Sequence, residues 1–394
     1  MHLPNNILRL PRSKRRDNLF SIILIALGVL YPALGLASQQ AEQIIRVQIY
    51  RGQSPAKLTI LGGYRILDIK TGESLADSRH LPGVNIQVNS SGIVIAGVQF
   101  GQSAQIHSDD PKDLFVNKHP FRGFLEVHAQ DNGNQLLIVN HIPMEEYLYG
   151  VLFHEVGAWW PAAALESQAI ASRTYAMYQR QIRSKYLFDV FNNQSSQMYG
   201  GANSERKKSN AAVDDTRGKV LTYAGAILPS FYHATCGGVT RDASELWKVS
   251  LPPLDGGVKC ATCWFSPHYS WNQSLTADEL GQILKKHNIH VDEIRDVKVT
   301  TRSSSERALK IDIKGDSSVN VAAKDLRLWI GSSVIRSELF DVETIRKNIK
   351  FSGRGWGHGV GMCQWGALGL SLLRKNHAEI LIFYYPGSQI EKLY

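Results

Sequence analysis

Apolar and polar residues alternate along three stretches in the first third of the chain, at 44–60, 84–100 and 121–142. Strict alternation is the pattern of a strand with one face buried. The third stretch is interrupted at 131–134 by "DNGN", whose Asn-Gly pair suits a tight hairpin turn. Antiparallel β-structure is therefore expected over about 44–142. The period then changes. "PMEEYLYGVLFHEV" at 143–156 predicts a helix opened by Pro143 in its first turn and ended by Gly157. A longer helix opens at Pro161 and runs to about 183 without internal proline or glycine. Strand patterns return at 218–223, at 226–236 and, as two further strands, within 296–321. A last helix starts near 363. The fold class is α+β: an antiparallel β-rich region at 38–140, then a mixed α+β core at 141–394 carrying a β-rich insertion at about 290–345. No internal repeat or low-complexity linker divides the 394 residues.

Charge changes the picture at the N-terminus. Arg9, Arg12, Lys14, Arg15 and Arg16 precede an uncharged run, 19–38, with Asp17 alone against them. Gly35 and Ala37 stand at the −3 and −1 positions of a cleavage site. Residues 1–37 read as a secretory signal or an uncleaved signal anchor, with Pro32 and Gly35 favouring cleavage, and the remainder is expected outside the cytoplasmic membrane. The formal charge of the whole chain is +9, and +5 once that leader is set aside. A mildly basic protein suits an acidic polymer or anionic surface. No stripe of Lys and Arg interleaved with exposed aromatics argues for nucleic acid.

Two stretches carry candidate chemistry. In "GRGWGHGVGMCQWGA", 353–367, glycine occupies every second position from 353 to 361. In an extended chain that spacing bares one face and lines up Arg354, Trp356 and His358 on the other, so that backbone or ligand can approach closely. No dinucleotide-binding glycine spacing fits. In "EEYLYGVLFHEVGAWWPAAALESQAIASRTYA", 145–176, Glu155 falls at a helix C-terminus shortly before Trp159 and Trp160. The helix dipole and desolvation by indoles both push a carboxyl pKa up, toward a useful general acid. On the next helix Gln168, Ser172, Tyr175 and Gln179 form one polar stripe; periodicity alone favours a solvated face.

Together with "FDVFNNQSSQMYGG" at 188–201, these stretches resemble the signature regions of the SpoIID/LytB family, which includes stage II sporulation protein D and amidase enhancers. The resemblance covers roughly 140–394 and is weakest over 296–345. It implies a peptidoglycan lytic transglycosylase that cuts between N-acetylmuramic acid and N-acetylglucosamine in glycan strands stripped of stem peptides. Its catalytic glutamate falls on Glu155. Arg173, Gln197, Tyr199, Arg354, His358 and Gln364 become candidate substrate contacts. A cell-wall amidase is the implied partner, and the alternative reading is a non-catalytic glycan-binding enhancer of such an amidase.

The cysteines form a third group. His233 and Cys236 have H-x2-C spacing, and Cys260 and Cys263 have C-x2-C. One His and three Cys make a tetrahedral set for structural zinc, which the resemblance supports, since some members bind zinc through His and Cys in this region. An exported location favours a disulfide instead, Cys236–Cys260 or Cys236–Cys263. Cys363 stands where the glycine-rich motif often has serine, so its thiol is not expected to be essential. A Cys363–His358 nucleophile lacks a third residue to orient the histidine. Nothing points to an organic cofactor.

Overall fold

The computed structural model describes residues 43–394, so the leader expected over 1–37 lies outside the described residues. The alternating stretches build two antiparallel-rich sheets. One runs in the order 190–191, 44–52, 135–143, 124–130, 103–108, 64–68, 74–78, and the other in the order 119–121, 114–116, 56–60, 81–89, 92–95, 98–99. Both send alternate residues into one apolar core: Ile45, Val47, Ile106 and Val127 from the first, and Leu58, Ile86, Ile95 and Leu114 from the second. The hairpin turn at 131–134 joins 124–130 to 135–143, with Asn132 at φ 55°.

Seven α-helices lie among the described residues: α1 Met144–Glu155, α2 Ala162–Ile182, α3 Lys207–Asp215, α4 Ala277–Lys285, α5 Ala323–Ile330, α6 Gln364–Leu372 and α7 His377–Tyr384. None is long and apolar enough to cross a membrane. Pro143 and Pro161 stand at the N-caps of α1 and α2, one position before the first helical residue, and Pro143 also ends a strand. In α1 the residues Met144, Tyr147, Leu148, Val151 and Leu152 are buried, the i, i+3, i+4, i+7, i+8 face that pins it on the first core. A second core gathers Ile170, Leu221, Met362, Ala367 and Tyr384 around the four cysteines. A third runs from Trp271 to Phe351 and holds α4, α5 and two three-stranded sheets. The stretch 296–322 gives three strands, Asp296–Arg302, Ala308–Lys314 and Ser318–Ala322, where two were expected, because 318–322 pairs with 310–314. The expected strand at 226–236 is two short pieces, Ala226–Ile227 and Tyr232–His233.

The glycine-rich stretch is not one extended strand. Gly353 and Arg354 end one strand, Asn348–Arg354, and Met362–Cys363 form another; between them Gly355, Gly357, Gly359 and Gly361 have φ of +84°, +109°, +82° and +69°. The period of two therefore reflects alternate residues in a backbone region closed to other side chains. A bare face would not require it. The close approach is real, however. A Cβ on Gly361 would lie 2.0 Å from the Phe231 carbonyl oxygen, and one on Gly355 would lie 2.6 Å from that of Thr235. The winding chain runs beside 231–241 and bonds to it at Thr235–Trp356, Arg241–Gly359 and Phe231–Met362.

Candidate active site

Glu155 ends α1, half-buried, where Gly157 and Trp160 turn the chain toward α2. Its Oε1 accepts the Met198 backbone N–H at 3.2 Å, and its Oε2 lies 3.5 Å from the Gln364 side-chain nitrogen. Desolvation pushes the carboxyl up to about 7, against the pull of these donors and of the Tyr232 hydroxyl. The direction is the one expected; the cause is burial, which disfavours the charged form.

Behind Glu155 stands a buried relay that sequence reasoning missed. Tyr147 donates its hydroxyl to Gln197 Oε1 at 3.0 Å, and Gln197 Nε2 donates to the Tyr232 hydroxyl at 2.9 Å. The Tyr232 oxygen is thus occupied as an acceptor, which frees its proton for Glu155. Ser172 lies 3.5 Å from the same oxygen, and Gln168 bridges Ser172 at 3.0 Å and Gln364 at 3.4 Å. The first half of the polar stripe on α2 is therefore buried and bonded, not solvated. Its second half, Tyr175 and Gln179, lines a hollow.

A groove of about 660 Å³ contains Glu155, Tyr232, His233, Trp356, His358 and Gln364 on its walls. Through Glu155 and Gln364 it continues into a hollow lined by Trp159, Trp160 and Trp365. Through Tyr232 and His358 it continues the other way into one lined by Tyr178, Phe231 and Trp247. Aromatic faces therefore flank the acid on both sides. Burial lowers the pKa of the histidines on these walls, His358 well below its usual range and His233 to about 4. His233 Nδ1 faces the Val360 carbonyl at 3.0 Å, which fixes the proton there.

The remaining expected contacts sit elsewhere. Arg173 is fully buried and paired with Glu145, at 2.5 Å and 2.9 Å, and it also bonds the carbonyls of Val213 and Lys219; it is a structural ion pair with no reach to the groove. Tyr199 is buried, with its hydroxyl on Asn140 at 3.0 Å and its ring against Tyr147 and Phe121. Gln197 acts on Tyr232, not on the groove. Arg354 is exposed and lines a separate hollow of about 430 Å³ with Trp271, Arg302 and Phe340.

The metal set also differs from expectation. Cys236, Cys260, Cys263 and Cys363 bring their Sγ atoms within 4.8 Å of one another, all buried and unbridged. His233 is not one of the clustered donors, and its Nδ1 faces the Val360 carbonyl; the fourth member is the sulfur of Cys363, delivered by the parallel pairing of His233 with Cys363. The donor set fits zinc. Cys236 and Cys263 sulfurs are 3.6 Å apart, and Zn–S bonds of about 2.3 Å in a tetrahedron put sulfurs about 3.8 Å apart. Outer donors are in place too: the backbone N–H groups of Cys236 and Gly366 reach Cys363 at 3.3 Å, that of Gly238 reaches Cys236 at 3.4 Å, and the Tyr384 hydroxyl reaches Cys260 at 3.0 Å.

With this geometry in hand, the likenesses to known proteins can be placed on it. Residues 132–223, which hold α1, α2 and Tyr199, match the family model of stage II sporulation protein (SpoIID), and residues 263–361 match that of a domain of unknown function (DUF8618). The chain is 32% identical over 360 residues to an uncharacterized protein of Brachyspira hyodysenteriae, covering 89% of this chain and 93% of that protein. It is 24% identical over 421 positions to the amidase enhancer of Bacillus subtilis, covering 90% of this chain and 58% of that protein. It is 29% identical over 270 positions to stage II sporulation protein D of Bacillus subtilis, covering 64% of this chain and 76% of that protein.

Proposed function

Since the chain belongs to the SpoIID/LytB family, we propose that it is a peptidoglycan lytic transglycosylase with Glu155 as its acid and base. The observation that carries this reading is the solitary carboxyl. Among the described residues lining the groove and its two extensions, Glu155 is the one carboxylate. Most glycoside hydrolases use a second carboxylate, about 5–5.5 Å away as nucleophile or about 6.5–9.5 Å away as base for water. A glycan whose own hydroxyl attacks needs none.

The steps then follow. Protonated Glu155 gives its proton to the oxygen linking muramic acid to glucosamine, and the C1–O bond breaks. The 6-hydroxyl of the same muramic acid bonds to C1, and the Glu155 carboxylate takes its proton. The products are a 1,6-anhydro end and a free 4-hydroxyl, with Glu155 reprotonated for the next turn. A pKa near 7 suits both transfers. Tyr232 and Met198 N–H hold the carboxyl in place and steady it while it is ionised. The aromatic faces on either side offer platforms for sugar rings.

The four cysteines are assigned to structural zinc. The metal would tie 231–237, 260–263 and the start of α6 into one unit and so keep Tyr232 and Gln364 around Glu155. The chain acts outside the cytoplasmic membrane on wall glycan, directed there by residues 1–37. The likeness to an amidase enhancer favours a second reading, in which the groove binds glycan without cutting and serves an amidase. Incubation of the purified protein with denuded glycan separates the two: soluble 1,6-anhydro fragments support cutting, and their absence together with a rise in added amidase activity supports enhancement.

A further inference from the structure

The groove is built from two parts of the chain that match different family models. Glu155 comes from the part matching the sporulation-protein model. The facing wall includes Arg327, Ser332 and Ser333, from the part matching a domain of unknown function. Arg327 stands in the last turn of α5 and is anchored by its own guanidinium: Nε donates to the Ile335 carbonyl at 2.9 Å, and Nη2 to that of Arg336 at 3.0 Å. Nη1 is left with one distant anion, Glu338 at 3.9 Å, and Glu338 lies nearer Arg241, at 3.3 Å. The fork is therefore rigid, and three of its five N–H donors are not committed to backbone.

Among the described residues lining the groove and its extensions, Arg327 is the one Lys or Arg, and the one carboxyl, Glu155, is protonated in the form that starts the reaction. A half-buried cation whose nearest carboxylate, Glu338, is shared with Arg241 and lies outside the groove lining favours a ligand that carries an anion.

We propose that Arg327 is a specificity-determining residue that binds the free lactyl carboxylate of muramic acid, and that this is a function of the domain it belongs to. The inference rests on the proposed substrate. A stem peptide is joined to muramic acid through that same carboxyl, as an amide. Removing the peptide exposes one carboxylate on every disaccharide, the group that a planar guanidinium fork accepts in bidentate fashion. Denuded strands are then recognised by a charge they gain as well as by the bulk they lose.

The test measures binding, not turnover, in the Glu155→Gln protein. The probes are glucosamine–muramic acid oligosaccharides with the lactyl group as free acid or as primary amide, which removes the charge and adds almost no bulk. The free acid should bind about tenfold or more tighter, the range of hydrogen bonds to charged groups. Arg327→Gln should bring the acid down to the level of the amide and leave the amide unchanged; Arg327→Lys should keep part of the preference. Equal binding of acid and amide to the Arg327 protein overturns the inference, and so does a preference that survives Arg327→Gln in a protein folded by circular dichroism. If Arg327→Gln does not fold, the acid–amide comparison decides alone. Acid preference without 1,6-anhydro products from the Glu155 protein would sink the cutting reaction and leave this inference standing; products without preference would do the reverse.

Discussion

At the residue scale Glu155 is set apart by its cost. A carboxyl raised from 4.5 to about 7 binds its proton more tightly folded than unfolded. Stability is unaffected below pH 4.5, falls between 4.5 and 7, and stays reduced above 7. Glu155→Gln should therefore be more stable than the parent at pH 8, by on the order of 1–3 kcal/mol, and equal to it near pH 4, by denaturant melts at both values. The same substitution should slow glycan cleavage about 10²–10⁴-fold in a folded protein. Cleavage by the parent should decline as pH rises past about 7, since the acid must be protonated to begin. Arg173 behaves in the opposite way. Arg173→Ala would strand Glu145, which no solvent reaches, and should cost about 3–5 kcal/mol in melts at neutral pH. A loss of activity there with full stability would return Arg173 to the list of substrate contacts.

Elements explain how much of this was legible. The two-residue period at 44–142 and the helical period of α1 each follow a buried face, so the sequence pattern carries them directly; α2 is buried on every side over 167–174 and is legible from its helix formers and its lack of internal proline and glycine. Glu155 could be placed because a helix end and two tryptophans flank it in sequence. The partners of Glu155 could not be placed in this way. Met198 N–H and Tyr232 meet it from a loop and a two-residue strand, and neither has a period to read. Arg173 and Tyr199 were assigned to the substrate because their motifs matched, but their side chains point into the first core and the α1–α3 interface. The glycine motif misled in a more instructive way, because spacing of two suits both a bare strand and a winding chain of positive φ. Gly361→Ala separates these. It should destabilise the fold by at least about 1–3 kcal/mol in chemical denaturation, from φ +69° and a Cβ placed 2.0 Å from the Phe231 carbonyl. A neutral result would mean the backbone there is free to become extended.

For the molecule as a whole, the cysteine cluster joins segments more than a hundred residues apart, so spacing alone could not choose its fourth member. His233 was the local candidate. Pairing of 232–233 with 362–363 brings in Cys363 instead. The protein purified without chelator should hold one zinc per chain by elemental analysis. Cys363→Ser should lose most of it, and His233→Ala should retain it. Retention by Cys363→Ser with loss from His233→Ala would restore the original set, and a disulfide found by non-reducing mass mapping would remove the metal altogether. The central claim is that one carboxyl suffices because the glycan supplies its own nucleophile. Mass spectrometry of the ends released from denuded strands in ¹⁸O-water tests it most directly. The account predicts 1,6-anhydromuramic ends without ¹⁸O, absent with Glu155→Gln; reducing muramic ends carrying ¹⁸O at C1 would mean that water is the nucleophile and would contradict it.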